Sequence, residues 1–238
     1  MVLVSSPLYF RQLLAGRDIA SNDPTAREMV NFIYLIGDRD AGRCLVVDPA
    51  WSIADILRVV AEDGMELEGV LATHYHPDHV GGDLFGSSVP GVSELLEQAP
   101  VQIHCNRAET EWIRRMTGVS QSDLHPCDSG DVVKVGAIEV RLIHTPGHTP
   151  GSQCFLVEGR LVAGDTLFLQ GCGRTDFPGG DKDEIYRSLT QRLAKIPDDT
   201  VLYPGHLYDP RPSATLGETR RTNYVFQVPS LEEWRRLM

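Results

Sequence analysis

Short apolar runs recur along the whole chain, and each is bounded by glycine, proline or aspartate. Such runs are typical of buried strands that end in turns. Between them lie segments whose apolar residues repeat with helical spacing. Because strands and helices alternate through the whole length, we predict layers around a central sheet rather than a helical bundle. The predicted strands are 32–36, 44–47, 70–72, 101–104, 138–143, 154–157, 161–163 and 200–203, and the predicted helices include 53–60, 109–116 and 185–193.

The composition fits a globular protein with one folding unit. The chain has 238 residues, of which 42% are hydrophobic, so it can bury a sizeable core. Because no Pro/Gly-rich linker divides it, we predict a single domain over 1–238, with a partly helical excursion between core strands at 84–126. The 22 basic and 33 acidic side chains give a net charge of −11, which disfavours a nucleic acid or an anionic membrane as partner.

Cysteine usage and hydropathy bear on the compartment. The five cysteines are scattered and form no C-x-x-C pair, which argues against a disulfide framework and for a reducing environment. The N-terminal stretch lacks the basic start of a secretory signal peptide. No apolar run approaches the ~18–20 residues that a membrane helix requires. We therefore expect a cytoplasmic protein with no membrane partner, and a homodimer is left open.

One strand runs directly into a cluster of ligand-type residues. The apolar residues 70–72 are followed by His74, His76, Asp78 and His79. Imidazole and carboxylate are the groups that borderline divalent transition metals prefer. Single histidines in proteins are usually satisfied by hydrogen bonds, but four such residues in six positions at a strand end favour a metal site.

Three further ligand-type residues follow later strands, each close to a glycine. They are His148, Asp165 and His206. Loops that follow several strands assemble sites in layered sheets. We therefore expect one ion among His74, His76 and His148, a second among Asp78, His79 and His206, and Asp165 as the bridge between them.

The order H-x-H-x-D-H, followed by His, Asp and His, resembles the metallo-β-lactamase superfamily over essentially the whole chain. This resemblance implies an α+β fold, the four-layer αββα sandwich, in which two mixed sheets pack face to face with helices outside and metals at one edge. True β-lactamases of this fold usually carry Cys at the position of Asp165 and no His at the position of His79. A β-lactamase is therefore not expected.

Two kinds of member are most similar to this sequence: glyoxalase II-type thioester hydrolases and persulfide dioxygenases. The segment GCGRTDF at 171–177 is especially close to the dioxygenases, whereas the following PGGD and the later IPDDT are more similar to short hydrolases. The tail lacks the glutathione-contacting residues of larger glyoxalase II enzymes. In the dioxygenase, His74, His148 and Asp165 would hold a single iron, and the other four residues would lie outside its ligand set.

We favour the hydrolase, which would cleave a small thioester such as an acyl-glutathione. It would use two divalent transition-metal ions, with zinc preferred and iron or manganese as alternatives. Asp78 is expected to orient the nucleophile, and Arg174 to bind a substrate carboxylate through its planar fork. An ion pair of Arg174 with a neighbouring aspartate is an equal alternative. Outside the site, His104 is expected to be structural and His125 to be exposed.

Overall fold

Two six-stranded sheets form the centre of the molecule in the computed structural model, which describes residues 6–237. Residues 1–5, part of the stretch considered for a signal peptide, and Met238 lie outside the described residues. The strands are β1 (Leu8–Leu14), β2 (Phe32–Asp38), β3 (Arg43–Val47), β4 (Glu66–Leu71), β5 (Gly82–Leu84), β6 (Ser87–Val89), β7 (Gln102–Asn106), β8 (Leu124–Cys127), β9 (Val132–Val135), β10 (Ile138–His144), β11 (Gln153–Val157), β12 (Arg160–Gly164), β13 (Val201–Pro204) and β14 (Ala214–Thr215).

Each sheet is mixed. The first has the order β1-β2-β3-β4-β7-β8, and the second has the order β14-β13-β12-β11-β10-β9. In the first sheet, β3, β4, β7 and β8 are parallel neighbours, whereas in the second only β12 and β13 pair in parallel. A small hairpin of β5 and β6 stands apart from both sheets.

The helices cover the outer faces of the two sheets. Apolar residues of α2, α4 and α5 share a buried cluster with the first sheet, whereas those of α6, α7 and α8 share another with the second. A third cluster fills the space between the sheets. The fold is thus the predicted four-layer αββα sandwich. The helices are α1 (Pro24–Met29), α2 (Ile53–Glu62), α3 (Pro77–Val80), α4 (Val92–Gln98), α5 (Thr110–Thr117), α6 (Lys182–Arg187), α7 (Leu216–Thr222) and α8 (Leu231–Leu237).

Strand β2 shows how the layers are specified by sequence. All seven of its residues are buried, because both faces of the sheet are covered. Side chains alternate across a strand with a period of two. Ile33 and Leu35 accordingly face the helices, whereas Phe32, Tyr34 and Ile36 face the other sheet.

The structure differs from the sequence-based expectations in three respects. The segment 84–126 contains β7 and all but the last residue of β8, so it supplies two strands of the first sheet instead of lying between core strands. The predicted helix 185–193 is divided, because α6 is followed by a π-helical turn, Ser188–Arg192. The sequence patterns also do not predict six of the observed strands, which are β1, β5, β6, β8, β9 and β14. Every predicted strand overlaps an observed one.

None of the helices within residues 6–237 is both long enough and apolar enough to cross a bilayer. The five cysteines are free thiols, and all except the half-buried Cys172 are buried.

Candidate metal centre

The histidine-rich segment begins where β4 ends. After Leu71 the chain passes through a short irregular stretch that carries His74 and His76, and then enters the single turn α3. This turn places Asp78 and His79 at the same edge of the first sheet as His74 and His76. All four side chains are more than half buried, and His74 and His79 are only 1% exposed.

Loops of the second sheet bring the remaining three residues to this edge. His148 lies between β10 and β11, Asp165 directly follows β12, and His206 comes two residues after β13. The parallel pairing of β12 and β13 puts the last two at one end of the sheet. A side chain at Gly205 would clash with Asp165, since an added Cβ would lie 2.3 Å from Oδ1.

Backbone hydrogen bonds join the two sheets beside these residues. Gln153 N donates to the carbonyl of Thr73 at 3.0 Å, and Phe32 N donates to the carbonyl of Gly205 at 2.8 Å. The loops that hold the two halves of the site are therefore fixed relative to each other.

The first cluster consists of His74, His76 and His148. The Nε2 of His74 lies 3.1 Å from Nδ1 of His76 and 3.3 Å from Nε2 of His148, and the last two nitrogens are 3.0 Å apart. Nitrogens bound tetrahedrally to zinc at 2.0–2.1 Å are about 3.3 Å from one another. The three imidazoles thus already have nearly the spacing that one ion requires.

The second cluster consists of Asp78, His79 and His206. Oδ2 of Asp78 lies 3.4 Å from Nε2 of each histidine, and these two nitrogens are 3.2 Å apart. The structure therefore groups the six residues into the two sets of three that the sequence predicts.

Asp165 lies against both clusters. Its carboxylate oxygens are 3.4 Å from Nε2 of His79, 3.3 Å from Nε2 of His206 and 3.7 Å from Nε2 of His148. Within residues 6–237, its buried Oδ1 has no hydrogen-bond partner. Buried polar atoms are nearly always paired, so this oxygen is suited to accept a cation.

The buried carboxylate of Asp48 links the two clusters, because it contacts His79 directly and His74 through the hydroxyl of Thr73. Its Oδ2 accepts a hydrogen bond from the hydroxyl of Thr73 at 2.6 Å and lies 2.9 Å from Nδ1 of His79. The oxygen of Thr73 in turn lies 2.9 Å from Nδ1 of His74. Because these contacts hold protons on the Nδ1 atoms, they leave the Nε2 atoms free for an ion.

Backbone carbonyls orient two more imidazoles. Nδ1 of His148 lies 2.7 Å from the carbonyl oxygen of Arg174, and Nδ1 of His206 lies 2.7 Å from that of Met29. Each ring is thereby fixed with Nε2 toward the centre. Asn31, held by the indole N–H of Trp51, donates to Oδ2 of Asp78 at 2.9 Å.

Electrostatics differ between the two clusters. Burial lowers the pKa of His74 well below its usual value, that of His76 to about 3, and that of His148. In the second cluster burial acts in the same sense, but the nearby Asp78 and Asp165 carboxylates overcome it and raise the pKa of His79. The first cluster is therefore neutral at neutral pH.

The aspartates show the complementary effect. Burial by itself would raise the pKa of Asp78 and of Asp165, but the surrounding histidines hold both pKa values well below the usual range. The site thus offers ionised carboxylates beside imidazole nitrogens in a buried pocket. This donor set fits divalent transition metals, and the spacing described above fits their bond lengths.

A model of the Metallo-beta-lactamase superfamily matches residues 26–206. The chain belongs to this superfamily. Human mitochondrial persulfide dioxygenase ETHE1 is 32% identical over 211 residues, which cover 87% of this chain and 75% of that one. The probable polyketide biosynthesis zinc-dependent hydrolase BaeB of Bacillus velezensis is 30% identical over 205 residues, covering 86% and 85%. Hydroxyacylglutathione hydrolase of Salmonella paratyphi A is 35% identical over 178 residues, covering 75% of this chain and 62% of that enzyme.

Solved structures agree with this assignment. The crystal structure of ETHE1 from Myxococcus xanthus has a TM-score of 0.76 at 31% identity and covers 96% of this chain and 89% of its own. TTHA1623 in a di-iron-bound form has a TM-score of 0.64 at 26% identity and covers 82% and 94%. The relatives of this metallo-β-lactamase-fold protein therefore include both hydrolases and dioxygenases.

Aromatic side chains flank the metallo-β-lactamase centre on two sides. The ring of Phe177 lies 5.2 Å from that of His76, and the ring of Tyr208 stacks on that of His206 at 4.7 Å. Arg174 covers Phe177 at 4.5 Å and forms an exposed ion pair with Asp176. Arg174 therefore lies at the rim of the site, and its ion pair with Asp176 is the alternative that the sequence analysis leaves open.

Sequence reasoning missed three residues that support the centre. Asp48 follows β3 just as Asp165 follows β12, and this repeated pattern could have revealed it. Asn31 and Glu109 had no comparable signal. Glu109 is fully buried and accepts hydrogen bonds from the backbone N–H of Tyr75 and of Gly151 at 2.9 and 2.6 Å. It thus ties together the two loops that carry the first cluster.

Proposed function

We propose that this metal-dependent superfamily member is a hydrolase with a binuclear centre that cleaves a small thioester such as an acyl-glutathione. The observation that carries the proposal is the position of Asp165, whose carboxylate lies within 3.7 Å of nitrogens from both clusters. A complete second set of donors has a direct use when two ions are held. A centre with one ion leaves that set without a ligand role.

In this proposal His74, His76 and His148 would hold one ion, Asp78, His79 and His206 would hold the other, and Asp165 would be shared between the two sites. Zinc is the first candidate, since BaeB is named as zinc-dependent, and iron is supported by the di-iron form of TTHA1623; manganese accepts the same donors. Two such ions supply Lewis-acid polarisation of a carbonyl and a lowered pKa for water.

The side chains contribute orientation and charge. The carboxylate of Asp78 is held by Asn31 and is placed to accept a hydrogen bond from the attacking water, which fixes its direction. The leaving group is a thiol with an ordinary pKa of about 8.5, so it departs as thiolate with little acid assistance. Free cysteines throughout the chain suit the reducing cytoplasm, where such thiols occur.

Arg174 is proposed to bind a carboxylate of the substrate. Its ion pair with Asp176 is well exposed, with 63% and 64% of the two side chains accessible. Such surface pairs contribute little free energy, so an incoming carboxylate can replace Asp176. The position above Phe177, next to His76, puts this contact at the edge of the first cluster.

The second candidate function is persulfide oxidation at a single iron. It is favoured by the identity to the two ETHE1 proteins, 32% and 31%, and by the GCGRTDF segment. Here His74, His148 and Asp165 would hold the iron, with open positions for the reactants. The complete second set of donors, Asp78, His79 and His206, argues for the hydrolase.

One pair of assays separates the two functions. Anaerobic incubation with S-D-lactoylglutathione is expected to release thiol, whereas glutathione persulfide in an oxygen electrode is expected to cause no oxygen uptake. Uptake that requires both persulfide and iron, without thiol release from the thioester, would establish the dioxygenase instead.

The role of Arg174 is tested by Arg174→Gln. We expect KM for a carboxylate-bearing thioester to rise about 10-fold, corresponding to ~1.4 kcal/mol, with kcat little changed. Arg43→Gln is the matched control, since Arg43, at the start of β3, forms an exposed ion pair with Glu68 of the neighbouring β4. An unchanged KM in Arg174→Gln would show that Arg174 serves only its pair with Asp176.

A further inference from the structure

Another group of ligand-type side chains lies in the first sheet, outside the seven-residue centre. It is formed by β7 and by β8, the strand at the sheet edge. His104 and His125 are direct partners in the parallel pairing of these strands. Cys127 lies two residues beyond His125, so its side chain is on the same face. None of these residues belongs to either cluster of the centre.

The side chains converge at short range. The rings of His104 and His125 are 4.9 Å apart, and Nδ1 of His104 lies 4.0 Å from Sγ of Cys127. One ligand atom from each residue lies within 4.8 Å of the other two. Cys127 is buried, His104 is half-buried and His125 is exposed, so the group is shielded at the sulfur and accessible to solvent at His125.

The surroundings determine how a cation would bind there. The imidazole of His104 lies beside Gly69 of the neighbouring β4, where an added Cβ would be 3.6 Å from its Cδ2. Burial, reinforced by His125, lowers the pKa of His104 to about 4, so its ring is neutral at pH 7. Burial, reinforced by the carboxylates of Asp131 and Asp128, raises the pKa of the Cys127 thiol to about 11, so an ion has to displace the thiol proton, while the same carboxylates attract a cation.

We propose that His104, His125 and Cys127 form a second metal site, which binds a thiophilic divalent ion such as Zn²⁺ and keeps one coordination position open to solvent. Zinc bonds of 2.3 Å to sulfur and 2.0–2.1 Å to nitrogen place these atoms about 3.6 Å apart in a tetrahedral site. The observed 4.0 Å between His104 and Cys127 therefore has to shorten by only a few tenths of an ångström. The thiol releases its proton when it binds the ion.

Cobalt distinguishes this site from the proposed binuclear centre. A cysteine ligand gives Co²⁺ an intense sulfur-to-metal charge-transfer band in the near ultraviolet, and none of the seven residues of the centre is a cysteine. Metal-free protein kept reduced with a phosphine and titrated with Co²⁺ is expected to develop this band with a stoichiometry of one ion per chain. The band reports the second site whether or not the centre proves to be catalytic.

Two variants, Cys127→Ser and His125→Ala, identify the ligands, and a third, Cys172→Ser, is the control. Cys127→Ser is expected to abolish the band, whereas Cys172→Ser, which alters the half-buried cysteine, is expected to keep it. His125→Ala changes an exposed side chain, so the fold is retained, and it is expected to weaken Co²⁺ binding at this site at least about 10-fold. Absence of the band in the wild-type protein, or a band that survives Cys127→Ser, would overturn the proposal and leave the group as a pair of packed histidines above a core thiol.

Discussion

The two clusters of the centre contain similar donors but carry different charges. In the cluster of His74, His76 and His148, burial lowers each pKa, so the imidazoles are neutral. In the other cluster, Asp78 and Asp165 raise the pKa of His79 and His206 against the effect of burial. Without metal, the first cluster consists of neutral imidazoles with free lone pairs. In the second cluster, the histidines form ion pairs with the carboxylates of Asp78 and Asp165.

In the proposed binuclear centre, this difference means that the two ions would be bound at different free-energy cost. An ion at the first cluster would meet neutral nitrogens and displace few protons. An ion at the second cluster would have to displace protons that the carboxylates hold on the histidines, so its affinity would depend on pH. Asp165 lies against histidines of both clusters. Asp48 contacts His79 of the second cluster and Thr73, which in turn contacts His74 of the first. The variants below test how far the two clusters are independent.

The largest effect is expected for Asp165→Ala, which removes the carboxylate that lies directly against Nε2 atoms of both clusters. Both ions should be lost or greatly weakened, and turnover should fall more than about 1,000-fold, or ~4 kcal/mol in activation free energy. Metal analysis after gel filtration, together with kcat, checks this. The exposed Asp199 gives a control, because Asp199→Ala should retain both ions. Retention of two ions by Asp165→Ala would refute the bridging role.

His206→Ala and His148→Ala form the next pair, with one histidine removed from each cluster. His206→Ala should lower metal content from two ions to about one, and His148→Ala should affect mainly the first cluster, because each variant removes one of three nitrogen or oxygen donors. Titration calorimetry of the wild-type protein should show that more protons are released when an ion binds at the second cluster than when an ion binds at the first. Unchanged metal content and turnover in His206→Ala would favour the single-iron arrangement over the binuclear hydrolase.

Asp48→Asn should affect both clusters at once, because one carboxylate oxygen contacts Thr73 and His79. Loss of such an outer contact typically costs 10–100-fold in metal affinity, and we expect a loss of about this size for each ion. Competition with a chelator measures it. A loss confined to one ion would show that the clusters are held independently.

The smallest effect is expected for Glu109→Gln, which concerns only the loops of the first cluster. The amide of Gln can accept only one of the two backbone hydrogen bonds from Tyr75 and Gly151, so the free energy of unfolding should fall by about 1–3 kcal/mol. Chemical denaturation of the metal-free protein measures this change.

The same variant has a pH signature. Burial raises the pKa of Glu109 to about 7. Between its ordinary value near 4.3 and about 7, the folded protein therefore retains a proton that the unfolded chain has released, and this group makes the unfolding free energy fall as pH rises. Glu109→Gln should remove that decline, so the difference between variant and wild type should be larger at pH 5 than at pH 8. A difference that is constant across this range would contradict the raised pKa.

How much of the candidate site a sequence reveals depends on how local each signal is. His74, His76, Asp78 and His79 are recognisable because they follow one apolar strand within six positions, and His148, Asp165 and His206 repeat that context. The αββα arrangement came from the resemblance, since strand positions alone do not define which strands are neighbours. Strand β1 has a weak signal because Arg11 and Gln12 interrupt its apolar residues.

Residues that act through packing gave no local signal. Glu109 lies at the start of a helix, 34 positions from Tyr75 whose backbone it binds, and Asn31 precedes a buried strand yet reaches a carboxylate 47 positions away. Similarly, His104 and His125 read as a structural and an exposed histidine until the pairing of β7 with β8 brings them beside Cys127. Such groupings require the register of non-adjacent strands.

The spread of the seven residues from His74 to His206 has a consequence for biosynthesis. While the ribosome is still making β13, the nascent chain carries a full first-sheet set of donors but lacks the last histidine and the hydrogen bond that joins Gly205 to Phe32. In the proposed binuclear centre, the second cluster is therefore complete only after His206 has been synthesised. An ion bound there would connect loops of both sheets, so its binding would follow the docking of the sheets and stabilise it.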